Sequence, residues 1–130
     1  MIYHGGRSYD LSDLPEVVRT TTANLRPHVK KFDCIVCSGM SGVIVAIPVG
    51  LRLRKPVVIV RKKSDNSHSS TPHINGAALK GKRALFLDDF VASGATKTFV
   101  KSHTVKEGAT MIAQYTYREH NFTPLVERTS

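Results

Sequence analysis

Two adjacent carboxylates, Asp88 and Asp89, follow an apolar run and precede a stretch of small and hydroxyl residues. Residues 84–96 read Ala-Leu-Phe-Leu-Asp-Asp-Phe-Val-Ala-Ser-Gly-Ala-Thr. Carboxylates side by side can accept hydrogen bonds from a diol or support a metal-bound ligand. Backbone N–H groups at a helix start, helped by the hydroxyls of Ser93 and Thr96, suit a phosphate dianion. Gly94 lets the backbone come close to such a ligand. One short segment therefore offers an anion site at one end and an acidic site at the other.

These side chains need a scaffold that holds them. The apolar residues 84–87 predict a buried strand, parallel and covered on both faces. Asp88 and Asp89 then stand at its carboxyl end, where open α/β sheets bind ligands. An earlier β-prone strand is expected over 32–37, followed by a tight glycine loop of Ser38, Gly39, Met40, Ser41 and Gly42. Its two glycines permit close approach to a ligand. A helix is expected over 43–53, kinked by Pro48 or starting late because of it. Strands follow over 56–60, 83–87 and 110–117. A helix over 96–106 ends at Gly108. Residues 64–80 have no core pattern, and a loop of that length in a compact domain is functional or mobile.

Toward the amino terminus, residues 1–10 read as an arm or short strand. Asp13 and Glu16 have capping-box spacing, with Pro15 in the first turn. Val17, Val18, Thr21, Leu25 and Val29 recur at helical spacing, and Pro27 ends or kinks that helix. The tail, 118–130, shows little pattern. This order of elements predicts an α/β fold with a parallel sheet.

A chain of 130 residues forms one domain with a real core. It has no apolar run of membrane-spanning length, and its start lacks a signal-peptide stretch, so a cytoplasmic setting is expected. Cys34 and Cys37 form a C-x-x-C, but residues three apart on a strand face opposite sides. They are expected to be buried reduced thiols, neither bonded to each other nor sharing a metal. The net charge is +9, from 19 basic and 10 acidic residues. Residues 52–83 hold nine Lys and Arg against Asp65 alone. That zone implies an anionic partner, either nucleic acid or a polyphosphate. Residues 76–83 approach a nucleotide phosphate-loop pattern. However, Arg83 replaces the hydroxyl that would hold Mg²⁺, and the segment precedes a strand instead of following one.

The run Leu-Phe-Leu-Asp-Asp-Phe-Val-Ala-Ser-Gly-Ala-Thr, residues 85–96, resembles the phosphoribosyl pyrophosphate (PRPP) signature of the type I phosphoribosyltransferases. The resemblance implies a single-domain, Rossmann-like parallel-sheet α/β core with helices on both faces. Residues 1–31 would be an arm and helix, 32–117 the core, and 118–130 a tail. Only a minimal hood would lie outside the core. It also implies transfer of 5-phosphoribosyl from PRPP to a nucleobase, with Mg²⁺ as cofactor and pyrophosphate as product. On that pattern Ala92, Ser93, Gly94, Ala95 and Thr96 take the 5′-phosphate. Asp88 and Asp89 bind the ribose hydroxyls and support Mg²⁺ indirectly. Ser38, Gly39, Met40, Ser41 and Gly42, with Arg61, Lys62 and Lys63, take the pyrophosphate.

The base-binding residues are not marked. A purine is the expected base, with orotate and uracil open. Tyr115, Tyr117 and Phe122 are candidates for stacking, although packing is the expected role for at least two of them. His68, in the long loop, reads as a solvated histidine. The resemblance further implies a homodimer. Some members of the family it resembles keep this fold and act as regulators, sensing PRPP or nucleotides while binding nucleic acid, and that alternative stays open.

Overall fold

The computed structural model describes residues 13–61 and 79–125. Helix α1 spans Leu14–Leu25 and runs into a 3-10 turn over Arg26–Lys31. Strand β1 (Cys34–Cys37), helix α2 (Gly39–Leu53) and strand β2 (Val57–Ile59) follow. After residue 79 come β3 (Arg83–Asp88), α3 (Ala95–Lys106), β4 (Thr110–Thr116) and β5 (Asn121–Pro124). The sheet order is β2-β1-β3-β4-β5. The first four strands are parallel, and β5 is antiparallel to β4.

The continuous apolar strands follow from cover on both faces. Ile35 and Cys37 of β1 join Leu85 and Leu87 of β3 in one apolar cluster, against Val45, Ala46 and Val49 of α2 and Val18 and Leu25 of α1. Cys34, Val36 and Phe86 point the other way, into a cluster with Val100 of α3. The two cysteines are therefore on opposite faces, buried and free. Burial pushes the Cys34 thiol up to about 11 and the Cys37 thiol up to about 12.

The connections explain where a ligand can enter. From β1 the chain crosses through α2 to β2, toward one edge. From β3 it crosses through α3 to β4, toward the other. Right-handed crossovers in opposite directions put the two helices on opposite faces. The strand ends part between β1 and β3, the topological switch point at which such sheets bind ligands.

Several expectations change. Residues 38–42 are not a free loop. Ser38 is the N-cap, and Gly39 already opens α2. Gly39, at φ +80°, makes the abrupt turn from strand to helix. Helix α2 then runs through Pro48, which only forfeits one N–H bond to the turn before it. The Asp13–Glu16 capping box does not form: α1 has no side-chain cap bond, and Glu16 pairs with Arg19 instead. The tail contains β5, which the sequence reading missed because Asn-Phe-Thr-Pro has neither length nor alternation. The arm 1–10, the loop 64–80 up to residue 78, and with them Lys62, Lys63 and His68, lie outside the described residues.

Candidate active site

Strand β3 ends on the carboxylate pair. Asp88 is 5% and Asp89 3% exposed, unusual for acids. Asp88 Oδ1 accepts the Asp89 N–H at 2.8 Å, and Asp89 Oδ1 accepts the Phe90 N–H at 2.8 Å. This turning of the chain back on its own carboxylates tightens the exit from β3. Burial pushes the Asp88 carboxyl up to about 7; the Asp89 N–H bond works against the rise, and the Asp89 carboxylate adds to it.

Across the switch point, the first turn of α2 closes on the same pair. Ser41 Oγ donates to Asp88 Oδ1 at 3.4 Å. Gly42 makes the approach possible. A Cβ there would sit 3.1 Å from the Leu87 carbonyl oxygen and 3.3 Å from Cys37 Cβ. Arg61 is exposed just past Val60, whose N–H bonds the Cys37 carbonyl at 2.8 Å, so it stands at the same carboxyl end.

Tyr117, a stacking candidate in the sequence, is a structural brace instead. Its phenol donates to the Ser41 carbonyl at 2.7 Å, and its N–H donates to the Asp88 carbonyl at 3.0 Å. Together with the Ser41–Asp88 bond this forms a closed triangle binding β3, β4 and α2. The signal in the sequence was the alternation Ala113, Tyr115, Tyr117, which puts all three on the α1 and α2 face. Tyr115 is fully buried; its hydroxyl accepts from Asn24 at 2.9 Å and meets His120 Nδ1 at 2.6 Å. Phe122 stacks on His28 with centroids 3.9 Å apart. All three aromatic candidates are thus engaged in packing.

The anion end lies next door. A hollow of about 100 Å³ is lined by Asp88 and by residues 90–97. Gly94 precedes α3 at φ +85°, with open space where its Cβ would be. Its requirement is therefore backbone conformation, not room. The Ala95 N–H donates to Ser93 Oγ at 3.2 Å, and the first helical bond runs from the Thr98 N–H to the Gly94 carbonyl. The N–H groups of Thr96 and Lys97 precede that bond, so helix geometry leaves them without an intrahelical acceptor. Lys97 also lines the hollow, a residue the sequence reading passed over. Arg118 donates its N–H to the Asp89 carbonyl at 2.9 Å and lies 4.8 Å over the Phe90 ring, bracing the loop between the two ends.

The basic zone does not surround this site. Arg52, Arg54 and Lys55 end α2 and precede β2, while Lys80, Lys82 and Arg83 lead into β3. These residues stand at the amino ends of parallel strands, the full strand length from Asp88. Of the nine cations in residues 52–83, Arg61 alone among those described is at the carboxyl end. The polyphosphate explanation of that charge therefore does not hold for most of it.

A family model for the phosphoribosyl transferase domain matches residues 10–120. The chain belongs to the phosphoribosyl transferase family. Its curated relatives include the orotate phosphoribosyltransferase of Archaeoglobus fulgidus, 24% identical over 104 residues, 78% of this chain and 58% of that protein. They also include the adenine phosphoribosyltransferase of Rhodospirillum rubrum, 29% identical over 93% of this chain and 81% of that protein. The family member thus spans little more than half the length of the archaeal relative.

Solved structures share its fold. Orotate phosphoribosyltransferase from Aeropyrum pernix superposes with a TM-score of 0.67 at 20% identity, covering 82% of this chain and 59% of that one. Adenine phosphoribosyltransferase from Thermoanaerobacter pseudethanolicus gives 0.67 at 22% identity, covering 82% and 68%. Among the described residues no helix is long and apolar enough to cross a membrane.

Proposed function

We propose that this phosphoribosyltransferase-family chain transfers the 5-phosphoribosyl group of PRPP to a ring nitrogen of a purine base. In that reaction the C1′–O bond to pyrophosphate breaks, a C1′–N bond forms, and the base nitrogen loses its proton. The observation that carries the reading is the juxtaposition at the switch point. A buried carboxylate pair lies between an anion-sized hollow and the glycine-opened first turn of α2.

Each part has a task in this proposal. Residues 92–96 hold the 5′-phosphate through N–H groups at the start of α3 and the hydroxyls of Ser93 and Thr96. Asp88 and Asp89 accept hydrogen bonds from the ribose hydroxyls and fix the ring. Residues 38–42, with Arg61, Lys62 and Lys63, receive the pyrophosphate. Holding both reactants in line and balancing the departing charge are the main sources of acceleration in such a transfer.

Mg²⁺ fits this arrangement. No cluster of three or more His, Cys, Asp or Glu exists among the described residues. Mg²⁺ rarely needs one, since it is held by one or two carboxylates, waters and substrate phosphates. Asp88 and Asp89 would support it, and bound Mg²⁺ would neutralise the pyrophosphate.

The purine assignment is supported by the R. rubrum relative, which matches over most of both chains. A homodimer is part of the same proposal. Met40, Ile47 and Leu51 form an exposed apolar stripe along α2, 60%, 43% and 76% exposed. A cytoplasmic setting accords with both. The test is pyrophosphate release from PRPP and Mg²⁺ with adenine, guanine, hypoxanthine, xanthine, orotate or uracil. Release dependent on a purine supports the proposal. Release with orotate or uracil alone overturns the purine assignment, and release with no base overturns the transferase reading.

A further inference from the structure

We infer that the end of the sheet opposite the proposed transferase site is a nucleic-acid contact surface that grips the phosphodiester backbone. The inference stands apart from the transferase reading, because it uses none of that site's residues.

The charge at this end is one-sided. Arg52, Arg54 and Lys55 come from the end of α2, and Lys80, Lys82 and Arg83 from the turn before β3. Lys106 ends α3, just before β4. Among the described residues, the acids at this end are Asp33 and Glu107, so seven cations face two carboxylates. Asp33 is already committed: it takes the Arg83 guanidinium at 2.9 and 3.1 Å and the Arg83 N–H at 2.8 Å. Lys55 is also braced, with Nζ 2.9 Å from the Phe32 carbonyl. Arg52, Arg54, Lys80, Lys82 and Lys106 are exposed.

The backbone holds these cations on fixed turns. The Lys80–Lys82 turn is clamped on three sides. The Gly81 N–H bonds the Gly108 carbonyl, the Lys82 N–H bonds the Leu79 carbonyl, and the Thr110 N–H bonds the Lys82 carbonyl, all at 2.9 Å. Arg54 caps α2 in the left-handed region at φ 58°, where glycine would sit without strain. An arginine kept in a strained position, at the same end of the sheet as the Lys80–Lys82 turn, points to a function for the charge there.

The layout favours a linear polyanion. The strands that these cations precede, β2, β3 and β4, span three strand spacings or about 14 Å, with the cations borne by α2 and α3 flanking that row on opposite faces. A row of that length runs beside about four phosphates on each strand of a duplex. Neutralising them releases counterions, which drives binding and makes it depend on salt.

The test is fluorescence anisotropy of the whole chain with short labelled duplex DNA, duplex RNA and single-stranded RNA, between about 50 and 200 mM KCl. We expect binding to at least one, weakening steeply with salt. The duplex and single-strand arms identify which form carries the backbone. The triple variant Lys80→Gln/Lys82→Gln/Lys106→Gln should bind about tenfold or more weaker and lower the log–log salt slope by about 2 to 3. Its pyrophosphate release should match the parent, and a thermal melt checks its fold. If it does not fold, Arg52→Gln/Arg54→Gly serves instead, since glycine relaxes the left-handed position.

Three results would overturn the inference: no binding to any oligonucleotide at low salt, binding unchanged in the folded variant, or attachment to anionic lipid vesicles with none to nucleic acid. If oligonucleotides bind by this surface while every base fails in the pyrophosphate assay, the contact surface stands and the transferase reading falls. The chain is then a nucleic-acid-binding regulator on this fold.

Discussion

Replacing Asp88 by Asn should stabilise the metal-free protein at alkaline pH while removing the proposed transferase activity. The Asp88 carboxyl is pushed up from 3.8 to about 7, chiefly by burial; the hydrogen bond from the Asp89 N–H opposes the rise and the Asp89 carboxylate adds to it. A carboxyl that binds its proton more tightly when folded contributes stability that is complete below about pH 3.8. That stability is lost as the pH rises through about 7, where the fold must carry a buried charge. At about 1.4 kcal/mol per pKa unit, the loss between pH 5 and pH 8 reaches about 2.5 kcal/mol.

Asp89 shares in the titration, so the change expected for the Asp88→Asn variant is about 1 to 2.5 kcal/mol. The amide mimics the protonated acid. Its oxygen can still accept from Ser41 and the Asp89 N–H, and its NH₂ can donate to the Asp89 carboxylate. Urea unfolding in EDTA at pH 5 and pH 8 measures the difference. The variant's margin over the parent should be larger at pH 8 than at pH 5 by that amount. A gain that is flat with pH, or larger at pH 5, would refute the claim that burial raises Asp88. Base-dependent pyrophosphate release by the variant should drop by about a hundredfold or more, since the proposal has this carboxylate holding the reacting sugar.

Other outcomes follow from the same geometry. Tyr117→Phe leaves the Ser41 carbonyl without its phenol partner and should cost about 1 to 3 kcal/mol in urea unfolding. As Tyr117 positions the α2 turn, the Michaelis constant for PRPP should rise more than turnover falls; an equal effect on both would assign it to the chemistry. Gly94→Ala forces a Cβ into the left-handed region and should cost about 1 to 2 kcal/mol. The cost is strain alone, because nothing lies within 4 Å of that Cβ. PRPP binding measured by calorimetry should weaken at the same time. Gly42→Val should destabilise by about 1 to 3 kcal/mol, since the strand backbone of β3 cannot move aside. Cys34 and Cys37, with thiols near 11 and 12, should resist iodoacetamide at pH 8 in the folded protein and react once urea unfolds it.

Local pattern made much of the fold legible. Four buried residues in β1 and five in β3 need no partner to be recognised as strands covered on two faces. Gly108 stops α3 as expected, at φ +91°. The motif from Leu85 to Thr96 reads in one pass because its carboxylates and helix start are neighbours in the chain. Where elements were misjudged, long-range contact was the cause. Strand β5 exists because Ala113, Gln114, Tyr115 and Thr116 offer it an edge to pair with. The first turn of α2 packs Gly42 against β3, where a Cβ would crowd the Leu87 carbonyl at 3.1 Å, a contact that the sequence pattern does not reveal.

By itself the sequence determined the chemistry that is available: two acids, a hydroxyl-rich helix start, a glycine turn and an excess of cations. Each is a property of residue type and short spacing, which the chain carries whether folded or not. Only the tertiary structure decided which of these act together. It brought Ser41 to Asp88 across 47 positions and tied both to Tyr117, while it sent most of the basic residues to the far end of the sheet. The reason is the parallel sheet. Every strand points the same way, so residues after strands gather at one end and residues before strands at the other, and no local pattern states that sorting.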